Sequence, residues 1–175
     1  AEPRFCPHLH LPLQSGDDAV LGAMRRRYNA AQFQGACERV ASRVADPGFT
    51  TDVIVGFPGE TEEQFRNTLE LSRKIGFSRI HVFPYSRRRG TDAARRADLP
   101  GRVKKERRHR LERLGASLTD AYAKKFIGRT VEVLLESQGG YTERYLKVRM
   151  TGARGALVRA RVDGVHHGEL LASPA

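Results

Sequence analysis

The period of the hydrophobic pattern changes once along this chain, close to Gly128. Before that point, amphipathic segments with helical spacing alternate with short β-branched runs; after it, apolar and polar residues alternate one by one. A segment patterned for a helix does not suit a strand, and the reverse also holds. The pattern therefore predicts an α/β domain over residues 1–126 and a small β domain over residues 127–175.

The first of these domains alternates strands and helices. Because its connections are long enough for crossovers, the strands are expected to form a parallel sheet within an α/β layer. Strands are predicted over 8–13, 50–55 and 79–84; helices are predicted after Asp17 or Asp18, over 32–45, from a Thr61–Gln64 capping box to Gly76, and over 102–126.

The second domain consists of short alternating segments separated by glycine-bearing turns. Strands are predicted over 130–136, 145–150, 156–162 and near 169–171, with turns that include Gly164. About five short strands in roughly 45 residues are typical of a small antiparallel barrel of the OB-like kind.

Positive charge is concentrated in one segment. The chain has a net charge of +11, and residues 86–130 alone hold 15 Lys/Arg against 5 Asp/Glu. Such a segment calls for a polyanionic partner, of which nucleic acid is the usual one.

The cysteine count excludes several classes of protein. Cys6 and Cys37 are far apart, so neither a disulfide framework nor a CxxC metal pair is present, and no metal-ligand residue is predicted. A reducing, cytoplasmic location is expected. No apolar run is long enough for a membrane span, and residues 1–4 do not begin a signal peptide. Since the chain starts without Met, we interpret it as part of a longer protein.

Two predicted strands end in residues suited to a small ligand. Gln14 and Ser15 follow the first strand, and the second strand leads from Asp52 through Gly56 to Glu60. Ligands of open α/β sheets bind at the carboxyl edge of the strands, where both segments end. Taken alone, a tight turn onto a capped helix is the commoner explanation of the second segment.

Two further segments are candidates for RNA contact. Arg87, Arg88 and Arg89 follow the third strand in a loop, where their charges must be solvated by water or must contact phosphate groups. In the β domain, aromatic and basic residues are interleaved, which suits base stacking combined with phosphate contact. The alternatives are a solvated surface and ordinary cross-strand Tyr–Arg pairs. The β-domain candidates are Tyr141, Arg144, Tyr145, Lys147 and Arg149.

Four strings, taken in order, resemble the radical-SAM methylthiotransferases. They are HLHLPLQSG at 8–16, TDVIVGFPGET at 51–61, FSRIHVFPYS at 77–86 and GYTERY at 140–145, and the resemblance extends over nearly the whole chain. Within the family, the third string looks like the bacterial tRNA N6-threonylcarbamoyladenosine methylthiotransferases. The isopentenyladenosine and ribosomal-protein branches differ there.

This resemblance implies a fold and an activity. The whole enzyme would hold one [4Fe–4S] cluster in an N-terminal domain and a second, through a CxxxCxxC motif, in a partial (β/α) barrel. It would use S-adenosylmethionine to methylthiolate C2 of threonylcarbamoyladenosine beside the tRNA anticodon, with a reductant such as flavodoxin. This chain would be the C-terminal part of the barrel followed by an RNA-binding TRAM domain. It contains no CxxxCxxC, so the cluster ligands would lie upstream and the fragment alone would be inactive.

The resemblance also implies contacts with S-adenosylmethionine. No catalytic residue is assigned, because radical chemistry is largely the cofactor's. Glu60 has an alternative role as a helix-start charge. The expected cofactor contacts are Gln14, Ser15, Asp52, Ile54, Gly56 and Glu60. Alternative functions are methylthiolation of isopentenyladenosine tRNA or of a ribosomal protein, or a stand-alone RNA-binding module.

Overall fold

The computed structural model describes residues 5–175, so the first four residues, which bear on the signal-peptide expectation, lie outside the described part. The strands are β1 (His8–His10), β2 (Gly48–Val55), β3 (Arg79–Pro84), β4 (Thr130–Leu135), β5 (Gly140–Thr142), β6 (Lys147–Arg149), β7 (Leu157–His166) and β8 (Glu169–Pro174). The helices are α1 (Asp18–Ala23), α2 (Ala30–Ala41), α3 (Glu62–Ile75) and α4 (Gly101–Lys124), with a 3₁₀ turn at Asp92–Arg95.

Strands β1, β2 and β3 form a parallel sheet in that order. Successive side chains of a strand point to opposite faces, so the two faces of this sheet differ in character. One face is apolar and shares a core with α2, α3 and α4 that includes Leu13, Phe33, Val53, Phe65 and Leu111. The α/β prediction for this part is confirmed.

The opposite face of the sheet carries polar side chains. His10 pairs in register with Thr50, and Asp52 pairs with His81 on the next strand. We call His8, His10, Thr50, Asp52 and His81 the polar face. It leads from the beginning of the strands to their carboxyl ends.

The C-terminal end agrees with the predicted signal in α3 but not in α2, whose first turn is closed by an Asn29–Gln32 capping box. Thr61 and Gln64 form the predicted capping box, and Gly76 closes α3 in the left-handed conformation at φ 72°. Helix α2 ends at Ala41, four residues before the predicted end at residue 45. Pro47 disfavours helical geometry in the residue before it, and the chain must already turn there into β2.

The second part of the chain forms a closed barrel of five strands in the order β4–β5–β6–β8–β7. The prediction of a wholly antiparallel barrel is wrong for one pair, since β6 and β8 are parallel. An odd number of strands around a closed ring cannot alternate in direction throughout. Strand β7 also continues through the predicted turn at Gly164, with a shift of register between Val162 and Gly164. A shift of this kind lets a strand bend without ending.

The last turn of α4 and the residues just after it pack under this barrel. Tyr122, Ala123 and Phe126 belong to the barrel's apolar core, together with Val133 and Leu170. The helix therefore connects the two cores of the described chain.

A group of contacts around Asp46, which we call the Asp46 junction, joins the barrel to the beginning of β2. The Tyr122 hydroxyl and the Arg144 Nε both donate to the Asp46 carbonyl oxygen, at 2.8 and 3.0 Å. Arg129 Nη1 lies 2.7 Å from the Asp46 carboxylate and holds the pKa of that group below its ordinary value. This contribution is present at neutral pH and is lost as the pH falls through the lowered pKa.

Gly48 lies directly beneath the barrel, and we expect its replacement by alanine to loosen the junction. A Cβ at this position would be 2.7 Å from the Arg144 carbonyl oxygen, so the backbone of one part must move. Overpacking of this kind destabilises by about 1–3 kcal/mol. Urea unfolding and protease cleavage near residues 125–130 measure the effect. Gly22→Ala is the control, because nothing lies within 4 Å of its Cβ; equal unfolding midpoints for the two variants would contradict the prediction.

Candidate functional site

A cavity of about 730 Å³ opens at the carboxyl ends of β1, β2 and β3. Its walls combine polar groups with apolar and aromatic ones, and they come from four separate segments of the chain. Segments that include the ends of all three strands meet here because parallel strands share one carboxyl edge. Its lining residues include Gln14, Asp52, Ile54, Phe57, Phe83 and Tyr85.

Gln14 enters the cavity wall through an unusual backbone conformation. Its φ is +64°, which is uncommon for a residue other than glycine. Two backbone hydrogen bonds hold it there: its amide donates to the Asp52 carbonyl oxygen at 2.8 Å, and its carbonyl oxygen accepts from the Ile54 amide at 2.9 Å. The position of Gln14 is therefore determined by β2.

The structure brings three of the six predicted cofactor residues together at the cavity. Gln14, Asp52 and Ile54 line it. Ser15 does not, because its side chain is fully buried with its hydroxyl 3.4 Å from the Thr68 hydroxyl. Gly56 and Glu60 do not line the cavity either, and the Gly56 amide donates a hydrogen bond to the Glu60 carboxylate.

The Glu60 carboxylate holds the turn after β2 in place. It accepts hydrogen bonds at 2.7 Å from the Gly56 amide and at 2.7 Å from Arg107 Nη1. The two charged side chains are only 1% and 5% exposed. Burial raises the pKa of Glu60, and the Gly56 amide and the Arg107 guanidinium oppose that rise. This geometry makes Glu60 a structural residue of the turn.

Arg107 is a second structural residue of this turn, and it was not predicted from the sequence. Its guanidinium lies over the Phe65 ring at 5.5 Å and also donates to the Glu60 carbonyl oxygen at 3.0 Å. One signal was available, because Arg107 lies four residues after Val103 and four before Leu111, on the apolar stripe of the helix. An arginine on such a stripe needs a buried partner.

Hydrogen bonds and one close His–Asp contact connect four side chains of the polar face. Thr50 Oγ1 lies 3.1 Å from His8 Nε2 and 3.0 Å from His10 Nδ1, and His10 Nε2 lies 3.4 Å from Asp52 Oδ2. Burial, with a smaller contribution from His10, lowers the pKa of His8. His8 is therefore neutral at physiological pH, which suits contact with a planar uncharged group.

Cations surround the mouth of the cavity. Arg25, Arg26 and Arg88 are among its lining residues, and an ion pair between Arg25 and Asp92 connects the segment after α1 to the loop after β3. The predicted residues Arg87, Arg88 and Arg89 are all exposed in that loop. Arg25 and Arg26 were not among the residues predicted to contact RNA, because their proximity to this loop is not visible in the sequence.

The predicted RNA-binding residues of the β domain differ in their surroundings. The Tyr141 and Tyr145 rings stack, with centroids 4.8 Å apart. Lys147 and Arg149 share one carboxylate, Glu169, at 2.7 and 2.8 Å. Arg144 belongs to the Asp46 junction. Their contact with RNA stays a prediction.

Metal ligands are not grouped in this part of the protein. Among residues 5–175, no three His, Cys, Asp or Glu side chains lie together so that they could hold a metal ion. Cys6 is exposed, whereas Cys37 is buried and its pKa is raised to about 11, so its thiol stays protonated. In the same residues, no helix combines the length and apolar character needed to cross a membrane.

Comparison with known proteins agrees with this arrangement. The family model described as "Radical SAM superfamily" matches residues 2–72, which include β1, β2 and the turn that follows β2. The tRNA-2-methylthio-N(6)-dimethylallyladenosine synthase of Mycobacteroides abscessus is 47% identical over 171 residues, which is 96% of this chain and 34% of the relative. The chain belongs to the radical-SAM methylthiotransferase family.

Both tRNA-modifying branches of the family are represented among its relatives. The dimethylallyladenosine synthase of Nocardia farcinica is 45% identical over 165 residues, 93% of this chain and 33% of the relative. The threonylcarbamoyladenosine tRNA methylthiotransferase of Thermotoga maritima is 42% identical over 159 residues, 87% of this chain and 37% of the relative. This methylthiotransferase chain thus spans about a third of the length of the curated relatives it matches.

Membership of the radical-SAM superfamily implies S-adenosylmethionine and an iron–sulfur cluster. The cavity fits the first of these, since it offers apolar walls for an adenine and polar groups for a charged amino acid. The Tyr85 hydroxyl supports this fit, because it is buried and has no hydrogen-bond partner among the described residues. The residues 5–175 do not fit a cluster, since they bring no set of thiolates together.

Proposed function

We propose that this chain is the C-terminal part of a tRNA-modifying methylthiotransferase. Its α/β part would be the last portion of a partial (β/α) barrel, and its five-stranded barrel would be an RNA-binding domain of the TRAM type. The cavity at the carboxyl edge carries this proposal, because segments from the family's first three strings line it. The target is a tRNA anticodon stem-loop, which the protein would meet in the cytoplasm.

Each residue of the cavity has a distinct role in this proposal. Asp52 and Gln14 bind polar groups of S-adenosylmethionine, while Ile54 and Phe57 pack against its adenine. The Tyr85 hydroxyl donates to the ligand the hydrogen bond that it does not make within the chain. Bound S-adenosylmethionine supplies the radical and the methyl group. Ser15, Gly56 and Glu60 act indirectly, by holding the strand ends in position.

The proposed substrate is adenosine that carries a threonylcarbamoyl group. The string FSRIHVFPYS supports this substrate, since the string contributes β3 and the Phe83–Ser86 side of the cavity. The second candidate is isopentenyladenosine, favoured by the identities of 47% and 45% to relatives named dimethylallyladenosine synthases. Iron–sulfur clusters and a reductant such as flavodoxin would be supplied outside residues 5–175.

Nucleoside analysis tests the reaction and separates the two candidates. The intact protein, with its clusters reconstituted, is incubated with reductant, S-adenosylmethionine and tRNAs that carry either modified adenosine. Mass spectrometry is expected to detect a 2-methylthio group on threonylcarbamoyladenosine. A product only on isopentenyladenosine selects the second candidate, and no product on either tRNA overturns the proposed function.

The role of Asp52 can be measured as a binding constant. Asp52→Asn is expected to weaken S-adenosylmethionine binding by about 10- to 100-fold, because a hydrogen bond to a charged group contributes about 1.5–3 kcal/mol. Calorimetry on the intact, cluster-loaded protein gives the affinity. Asp163→Asn is the matched control, since Asp163 is exposed on β7. Unchanged affinity for Asp52→Asn would remove this residue from the site.

A further inference from the structure

Three aromatic rings form a row that crosses from one domain to the other. The Tyr141 and Tyr145 rings are stacked with an interplanar angle of 16°. The His8 ring, which belongs to the parallel sheet, lies 5.1 Å from the Tyr145 ring at an angle of 31°. The row therefore depends on how the two domains are docked.

Local structure holds the central ring of this row at the surface. Tyr145 has a φ of +60°, a conformation that residues other than glycine seldom adopt, and its ring is half exposed. Its amide donates to the Thr142 carbonyl oxygen at 2.9 Å, which closes the turn between β5 and β6. On the other side of the row, Thr50 holds the His8 ring by a hydrogen bond. Because Tyr141 and His8 already pack against this central ring, a further planar group can stack only on the outer rings of the row, those of His8 and Tyr141.

The row continues across the outer surface of the barrel. Tyr141 pairs with Leu134 on β4, and Leu134 pairs with Leu157 on β7. Leu134 is 52% exposed and Leu157 is 66% exposed, so this apolar surface is open to solvent. Arg159 and Arg161 follow Leu157 at alternate positions of the same strand and are also exposed. Cations next to aromatic and apolar side chains are the combination that single-stranded nucleic acid requires.

We propose that His8, Tyr145, Tyr141, Leu134 and Leu157 form a platform that spans both domains. Unpaired RNA bases stack on its outer rings, His8 and Tyr141, and lie along Leu134 and Leu157. This inference rests on the proposed function, and the part of the RNA that binds this surface is its unpaired bases. Stacking suits unpaired bases because each presents a flat face, whereas the bases of a duplex are already stacked on one another.

The platform is placed so that a bound strand would lead to the cavity. From His8, the polar face continues along β1 toward Gln14, six residues further on. On β2 the partners of His8 and Gln14 are Gly48 and Val53, five residues apart, which at about 3.3 Å per residue is roughly 17 Å.

His8 provides the sharpest test, because it is the ring that the α/β part contributes. The probe is a single-stranded oligoribonucleotide of the anticodon-loop sequence, compared with a duplex of the same length. The binding of each to the intact protein is followed by fluorescence anisotropy at several salt concentrations. His8→Ala is expected to weaken single-strand binding by about 5- to 100-fold, as the loss of one base–aromatic stack does. The dependence on salt should not change, because no phosphate contact is lost.

Two companion variants separate stacking from a structural effect. His8→Phe keeps a flat ring but loses the hydrogen bond to Thr50, so it is expected to retain most of the single-strand affinity. His109→Ala is the control, since His109 is exposed on α4, and it should bind as the wild type does. Wild-type affinity for His8→Ala overturns the platform, as does an equal loss of single-strand and duplex binding. If the wild-type protein does not bind the anticodon-loop RNA at all, the proposed function fails together with the platform.

Discussion

Replacing Arg107 by methionine is expected to lower the free energy of unfolding by about 3–5 kcal/mol, because it leaves a buried carboxylate without its partner. Glu60 is 1% exposed and accepts a hydrogen bond from Arg107 at 2.7 Å. Methionine retains the apolar stem of the arginine side chain, so the loss of stability measures the effect of removing the charged guanidinium. Equilibrium unfolding in urea measures it.

Two control variants make this prediction specific. Arg108→Met removes an exposed ion pair with Glu112 on the same helix and should change stability by less than about 1 kcal/mol. The double variant Glu60→Gln, Arg107→Met removes both charges and should recover part of the loss. If Arg107→Met and Arg108→Met unfold at the same urea concentration, the buried pair does not stabilise the turn.

The defect of Arg107→Met should also depend on pH. Burial raises the pKa of Glu60, and in the variant only the Gly56 amide still opposes the rise. A carboxyl group whose pKa is raised in the folded protein destabilises the fold at pH values above that pKa, where it is charged. Below its pKa in the unfolded chain it is uncharged in both the folded and the unfolded protein, and the destabilisation disappears. The difference in stability from the wild type should therefore be largest at neutral pH and should shrink as the pH falls toward 4.

Replacing Arg87, Arg88 and Arg89 together by alanine is expected to lower the affinity for tRNA by about 100-fold at 0.15 M salt. Each phosphate contact contributes a slope of roughly 0.7–0.9 in a plot of log K against log salt, which is about fivefold in affinity at that concentration. The slope itself should fall by about 2–3. A salt titration of tRNA binding by the intact protein measures both quantities.

A second triple variant controls for net charge. Arg39 on α2, Arg43 just after α2 and Arg73 on α3 are exposed and lie outside the loop after β3, and their replacement by alanine removes the same charge. This variant should keep nearly the wild-type salt slope. If the two triple variants lose affinity and slope equally, the attraction comes from overall charge, and the loop after β3 does not contact phosphate.

Local signals predicted several elements in detail. The Thr61–Gln64 capping box and Gly76 mark the two ends of α3, because both depend only on hydrogen bonds within that helix. The continuation of β7 past Gly164 could not be predicted in the same way. A glycine there is compatible with a turn or with a shifted register, and the partner strand β8 decides between them.

The candidate site was predictable as a place but only partly as a set of residues. Motif positions located the carboxyl edge of the sheet and three residues that line the cavity: Gln14, Asp52 and Ile54. Ser15 and Glu60 have the same polar character in the sequence. Their orientation away from the cavity depends on Thr68 and Arg107, which are about 50 residues further along the chain.

The sequence by itself determined the order of the elements, the change from an α/β layer to a β barrel, and the faces that are apolar, because hydrophobic period and caps act over a few residues. The tertiary structure alone decided which polar side chains are neighbours. It directed Arg144 into the Asp46 junction, buried Arg107 against Glu60, and placed His8 beside Tyr145. Periodicity tells which face a side chain belongs to, whereas its partner depends on how distant segments pack together.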